Sequence, residues 1–398
     1  MSTPATAARS HRALHTDDVM CRMLQLIGPR DGCLKHVASV CKSWRGAWRR
    51  RCKGLYRPAG MEVGEFEHAH TVTALPDGVI VADYGNRRLV HLTSEGEECA
   101  VYCHGIATPH QVAPCGDGTA WVILYNDSLL CRVRLEADEG GAPRWPFLFE
   151  PTPAGTGYVK LYSPAKVLQQ AKMFGGDGDD EYIQPQDVML SGDRLVLLVN
   201  GGDGLGQVDV FDSTTAAHLY QFGRLPEPIA GDDLREPNGM GLDEDLCFIV
   251  DTFNQAIKIF NWRTRKFFRT IGSQEVAPEQ YDEDGDLYWA GSAYRDARRS
   301  SKPCEFNEPV GVAFRDKRLY VSEQSGRRIQ IISIPEICRG PVECLQIIAS
   351  PNSMDLAGLC LNGNGLWCTG RRPSYEEGSE EEEESESEYS VHLFAPIV

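Results

Sequence analysis

The sequence predicts a mainly β chain, a six-bladed β-propeller behind a small α-helical module. Three observations carry this. Turn formers are abundant, with 39 Gly and 23 Pro in 398 residues, which argues against an all-helical chain. A unit of strand, turn, strand, turn, strand recurs along residues 61–398. The first sixty residues lack that unit and carry apolar residues at helical spacing instead.

Residues 1–13 are rich in Ala, Ser and Thr and are expected to be a disordered leader. A helical module is expected over 14–58. Thr16-Asp17-Asp18 offers an N-cap followed by acids in the first turn, which suits the positive end of a helix. Val19, Met20, Met23, Leu24 and Ile27 then form one apolar face, and Gly28-Pro29 stops the helix. Leu34, Val37, Val40, Cys41, Trp44 and Trp48 repeat the pattern and end in Arg49-Arg50-Arg51. Helices this short bury little core alone and need a partner surface.

From residue 59 the period changes. Four segments open with Pro and a short apolar strand: Pro109 to Ala113, Pro185 to Met189, Pro237 to Gly241 and Pro309 to Ala313. Each runs through a turn into a second strand, Trp121–Leu124, Leu195–Val199, Cys247–Val250 or Leu319–Val321, and then a third. Two further copies lack the Pro, at His70–Leu92 and Leu356–Phe394. Units of this kind cannot bury both faces alone, and a radial ring solves that problem while protecting the strand edges. Outer strands are expected at Cys99–Cys103, Leu219–Phe222 and Phe267–Ile271. The sixth copy runs out of chain, so Met61–Phe66 is expected to supply its outer strand and close the ring. Residues 136–174 and 273–304 are expected to be long loops, and 371–388 an acidic, disordered one.

Charge follows the same division. The net charge is −17, from 40 Lys/Arg against 57 Asp/Glu. Residues 1–60 carry +9 and the run Glu376–Glu388 carries −9. These offset each other, so the rest of the chain carries the whole −17. Nucleic-acid binding by the ring is not expected, since phosphate neutralisation needs a basic surface. No apolar run is long enough to span a membrane. Fourteen Cys are scattered with no C-x-x-C pair, which points to reduced thiols in the cytoplasm or nucleus.

The repeats resemble the NHL family of β-propeller repeats. Val81-Ala82-Asp83-Tyr84-Gly85-Asn86-Arg87-Arg88-Leu89 fits that pattern best, followed by Val250-Asp251-Thr252-Phe253-Asn254 and by Val321-Ser322-Glu323 with Arg327-Arg328-Ile329. Leu124, Asn200 and Thr369 stand where the family has Asp. The fold class is therefore a six-bladed NHL-type propeller. The N-terminal helices resemble an F-box: Asp17-Asp18-Val19-Met20, Met23-Leu24, Pro29-Arg30-Asp31 and Val40-Cys41-Lys42-Ser43-Trp44-Arg45 match, while Leu14-His15-Thr16 replaces the family's early Leu-Pro. Together these resemblances imply a substrate receptor of a cullin-RING ubiquitin ligase. Asp18, Met20, Leu24, Ile27, Pro29, Val40, Cys41 and Trp44 would dock a Skp-type adaptor and, through it, a cullin. The propeller would hold a protein substrate, and the chain itself would carry no catalysis and no cofactor.

Asp83, Asp251 and Glu323 each end a second strand. A carboxylate there caps the next turn through backbone N–H groups, or else it faces a partner. Candidate substrate-binding residues are Asp83, Asn86, Arg87, Asn238, Asp251, Asn254, Glu323 and Arg327. Two other readings stay open. One is an NHL scaffold with no ligase link. The other follows from a likeness of Pro237-Asn238-Gly239 with Asp251-Thr252 to Ca²⁺-dependent six-bladed lactonases and esterases, in which Glu67 and Asn200 would complete an oxygen-ligand set. His68 and His70 share a strand face, but a zinc site needs further ligands and no metal is expected there.

Overall fold

The computed structural model describes residues 56–103, 106, 108–126, 129–135, 148–151, 159–162, 169–170, 184–201, 205–215, 217–223, 233–272, 300–337, 339–363, 365–372 and 389–396. The chain divides into two units, Met1–Arg57 with Ala395–Val398, and Pro58–Phe394. The F-box-like segment and its eight adaptor-docking residues lie outside the described residues, as does the acidic run Glu376–Glu388.

The second unit is a six-bladed propeller of antiparallel sheets, each ordered from the channel outward. Blade 1 comprises Ala69–Leu75, Gly78–Asp83, Arg88–Thr93 and Glu98–Tyr102. Blade 2 comprises Pro109–Pro114, Thr119–Leu124, Leu129–Arg134 and the two-residue strand Gln169–Gln170. Blade 3 comprises Gln184–Ser191, Arg194–Asn200, Leu205–Asp212 and His218–Phe222, with Leu234–Arg235 also pairing to its third strand. Blade 4 comprises Pro237–Asp243, Leu246–Asp251, Ala256–Asn261 and Lys266–Gly272. Blade 5 comprises Pro309–Arg315, Arg318–Glu323, Arg328–Ser333 and Glu343–Ala349.

Blade 6 closes the ring. Its first three strands are Asp355–Asn362, Gly365–Arg371 and Tyr389–Pro396, and its outer strand is Tyr56–Phe66, from the other end of the propeller sequence. The expected closing strand is therefore present and longer than Met61–Phe66. Joining first and last segments in one sheet leaves no blade with an unfilled edge. The long insertion in blade 2 departs from a plain loop: Leu148–Pro151 and Val159–Tyr162 pair as a separate hairpin, and the blade's outer strand lies within the same stretch.

The second strands explain why these runs lack polar alternation. Gly78–Asp83 and Thr119–Leu124 are buried along their whole length, because each blade has a neighbour on both faces. The core is correspondingly a series of interblade layers. Ile80, Ala82 and Leu89 of blade 1 meet Val122, Leu124 and Cys131 of blade 2. Val196, Val208 and Val210 of blade 3 meet Met240, Ile249 and Trp262 of blade 4. Trp367 and Val391 of blade 6 meet Val79, Val81 and Val90 of blade 1. Each fully buried Val, Leu or Ile contributes about 1.5–3 kcal/mol by leaving water, so the ring gains its stability at contacts that exist only once blades stack.

Strand pairing corrects two sequence assignments. Pro237 and Pro309 pair with Asp251 and Glu323. In blade 3 the residue opposite Pro185 is Val199, not Asn200, and in blade 6 Gly370, not Thr369, takes the position, opposite Leu356. In blade 3 the cause is turn length. Blade 2 joins its first two strands through an extra residue around Gly116-Asp117-Gly118, whereas blade 3 uses a two-residue turn between Ser191 and Arg194. The spacing of blade 2, applied to blade 3, shifts its second strand by one.

Candidate functional site

Every inner strand breaks its ladder one or two residues after it starts. Such a bulge inserts an extra residue and re-aims its side chain. The extra residues include His70, His110, Gln186, Asn238 and Val310, and all five line a central cavity of about 320 Å³. The six inner strands form its wall, with Val112, Val188, Met240, Val312 and Leu359 as apolar lining.

Blades 1 and 2 make the polar side of this channel. The His70 and His110 rings lie 3.8 Å apart between centroids, and Tyr125 stacks on His110 at 4.5 Å. His68 stacks on Tyr389 at 4.8 Å, and Tyr84 donates its hydroxyl to Asn126 Oδ1 at 2.9 Å. Burial, followed by the neighbouring His68, holds the His70 imidazole down to about 4. Burial and then His70 hold His110 well below the ordinary imidazole value, against a smaller opposing effect of the Gln186 carbonyl. Both rings are therefore neutral at pH 7. His110 Nδ1 lies 3.1 Å from the Gln186 carbonyl. A carbonyl can only accept, so Nδ1 carries the proton and Nε2 keeps its lone pair.

Along the same wall, Thr73 donates to Gln111 Oε1 at 3.1 Å, and Gln111 Nε2 donates to Asp187 Oδ1 at 2.7 Å. Asp187 Oδ2 accepts from the Met240 backbone N–H at 2.7 Å. This chain of bonds links blades 1 to 4. Burial pushes the Asp187 carboxyl up to about 7, although the bonds from Gln111, Met240 and Val188 oppose the shift.

The acids singled out in the sequence occupy a different setting. Asp83, Asp251 and Glu323 have no exposed surface, and each accepts from the backbone N–H of the residue sixteen earlier: Glu67, Arg235 and Asn307, at 2.8–2.9 Å. Asn86 and Asn254 donate side-chain N–H groups to Asp83 and Asp251 at 2.9 and 2.8 Å. Each acid also meets a cation of its own third strand: Arg88 at 2.8 Å, Lys258 at 2.9 Å and Arg328 at 2.7 Å. The unit ties the lead-in of a blade to its second turn. Arg87, Gln255 and Arg327 take left-handed backbone there, with φ 55°, 53° and 46°.

Seven of the eight residues singled out in the sequence thus fall into three separate turn clusters on blades 1, 4 and 5. Of the eight, Asn238 lines the channel, and its amide donates to Thr252 Oγ1 at 2.9 Å. Arg327 is drawn to Asp355 of blade 6 at 2.9 Å. Both Asp251 oxygens are engaged by Arg235, Asn254 and Lys258, so this carboxylate offers a Ca²⁺ ion no open pair of oxygens. Among the described residues no group of three His, Cys, Asp or Glu is placed to hold a metal. His70, His110, Gln111 and Asp187 were not singled out as channel residues. The legible signal was their place, one or two residues after the start of each inner strand, in Pro109-His110-Gln111 and Pro185-Gln186-Asp187.

No known family matches the chain, and no curated protein does. Solved structures do match. The likeness is one of fold. A luciferin-regenerating enzyme aligns over 85% of this chain and 94% of its own, at 10% identity and a TM-score of 0.53. A virginiamycin B lyase from Staphylococcus aureus aligns over 84% and 98%, at 12% identity and 0.47. A calcium-binding regucalcin from Agrobacterium tumefaciens aligns over 84% and 92%, at 12% identity and 0.46.

Proposed function

We propose that this chain is a non-catalytic substrate receptor of a cullin-RING ubiquitin ligase, in which the N-terminal segment docks a Skp-type adaptor and the propeller holds a protein substrate. The observation that carries it is the run Val40-Cys41-Lys42-Ser43-Trp44-Arg45, placed ahead of a ring closed by its own first strand. A rigid ring presents its loops without unfolding, and tethering a substrate beside the ligase raises its effective concentration there. The basic N-terminal charge suits an acidic adaptor.

The engagement of Asp251 by Lys258 and Asn254 supports a binding role over the Ca²⁺-dependent hydrolase reading, which needs those oxygens for a cation. Capture of the full chain from cells, beside a Val40→Ala/Trp44→Ala double variant, tests the proposal. Adaptor and cullin are expected with the wild type and lost with the variant. Their absence from the wild-type capture overturns it. Micromolar Ca²⁺ binding by calorimetry, with lactone hydrolysis, would favour the hydrolase.

A further inference from the structure

The channel mouth holds one buried polar atom with nothing to bond. His70 Nδ1 has no hydrogen-bond partner among the described residues, and a buried nitrogen left in that state is costly. Its neighbour is fixed in the complementary sense. His110 gives its Nδ1 proton to Gln186, leaving Nε2 as an acceptor. Tyr125 stacks on His110, His70 lies against the same ring at a tilt of 34°, and both histidines line the cavity.

The surroundings select the ligand chemistry. Burial keeps both imidazoles uncharged, so this side of the mouth holds no imidazolium for an anion. Both oxygens of Asp187 already accept hydrogen bonds, from Gln111 and from the Met240 backbone, so a cation finds no open pair of carboxylate oxygens. Beyond the histidines the wall is Val112, Val188, Met240 and Val312. The cavity of about 320 Å³ lies at the small end of the range of about 300–1,000 Å³ typical of small-molecule sites. A hydroxyl both donates and accepts, and so suits an unpaired nitrogen beside a fixed acceptor. A flat apolar body suits a mouth walled by stacked rings.

We propose that the blade 1–blade 2 side of the channel mouth binds an uncharged aromatic hydroxyl, with the hydroxyl at His70 Nδ1 and the ring against the apolar channel wall. A free phenol and the tyrosine side chain of a peptide carry the same chemistry. The site stands beside the receptor reading rather than on it, because adaptor capture does not depend on the channel.

Titration of the full chain with p-cresol and with toluene, followed by ligand-observed NMR, tests this. The pair differs only in the hydroxyl, so p-cresol is expected to bind about tenfold more tightly, the worth of one net hydrogen bond. His70→Phe keeps a ring and removes Nδ1, and the preference is expected to vanish. Should that variant fail to fold, the wild-type imidazole ¹⁵N spectrum reads the same contact: p-cresol is expected to shift a buried histidine Nδ1 and toluene to leave it unmoved. Equal affinity for the two probes, or no binding of p-cresol at about 10 mM, overturns the proposal. A matching preference for N-acetyl-tyrosinamide over N-acetyl-phenylalaninamide assigns the site to a peptide side chain. Binding of p-cresol alone assigns it to a free phenol.

Discussion

The Lys258 ammonium lies 2.9 Å from Asp251 Oδ2, and both side chains are almost wholly removed from water, at 3% and 0% exposure. Lys258 also donates to the Asp233 carbonyl. The pair joins the second and third strands of blade 4 to the segment leading into it. Burial pushes the Asp251 carboxyl upward, and Lys258 is the largest of the contacts that oppose this.

Breaking that pair from one side is therefore expected to be severe. Lys258→Met leaves a buried carboxylate without its cation, and losses of about 3–5 kcal/mol are typical of such half-broken pairs. Adding Asp251→Leu removes the stranded charge and is expected to recover part of the loss. Urea denaturation of the two single variants and the double variant gives the coupling. A double variant no better than Lys258→Met would show that blade 4 depends on the hydrogen bonds to Arg235 and Asn254 rather than on the charge.

The closing strand invites a deletion. Removing residues 59–66 strips blade 6 of its outer strand and takes Phe66 and Val63 from the layer shared with blade 1. For a ring of this size each kcal/mol lost lowers the melting temperature by about 2–4 °C, so a fall of more than about 10 °C is expected by calorimetry. An unchanged melting temperature would mean that the ring closes without this strand.

Gly311 sits at the seam between blades 5 and 6. A Cβ there would sit 2.6 Å from Ser322 Oγ and 2.7 Å from the Ala357 carbonyl. Ser322 donates to that carbonyl and so bridges the two blades. Gly311→Ala is expected to displace the hydroxyl and to cost about 1–3 kcal/mol, the usual penalty of overpacking. Gly311→Ala combined with Ser322→Ala relieves the first clash and should recover part of that stability.

Channel titration gives a pH dependence with a definite sign. Asp187 titrates near pH 7 in the folded chain against about 3.9 unfolded. Its contribution is complete below the unfolded value and is lost as pH rises through about 7. His70 acts in the opposite sense. Its folded value of about 4 lies below about 6.5 unfolded, so its contribution is present above pH 6.5 and is lost as pH falls. Asp187→Asn is expected to remove a decline that runs from about pH 4 to about 7, so the urea midpoint rises more steeply with pH on the acid limb set by His70 and stays level between about pH 7 and 8. An identical slope in the variant would show that other buried acids, Asp209 or Glu323, set the decline.

Much of this ring is legible in the sequence. Local spacing marks a blade because the turn between two strands, the apolar run that follows and the acid at its end all fall within about 15 residues. The outer strands Glu98–Tyr102, His218–Phe222 and Lys266–Gly272 were legible for the same reason. Where a turn gained one residue, as at Gly116-Asp117-Gly118, the register read from spacing slipped by one in another blade. Glu343–Ala349 is half exposed, and its apolar pattern is too weak to mark a strand.

The sequence by itself determined the number of blades, the burial of their second strands and the need for an early segment to complete the last sheet. These follow from chain-local chemistry and from the rule that repeated units must cover one another. Only the tertiary structure decided which side chains meet at the channel. His110 reaches Gln186, and Gln111 reaches Asp187, across 76 residues of chain, and the bulges that aim them are set by strand pairing. The same holds for Asp251. As a residue type at the end of a strand it suits a cap, a partner or a cation, and the buried ammonium of Lys258 beside it is what makes it a lock.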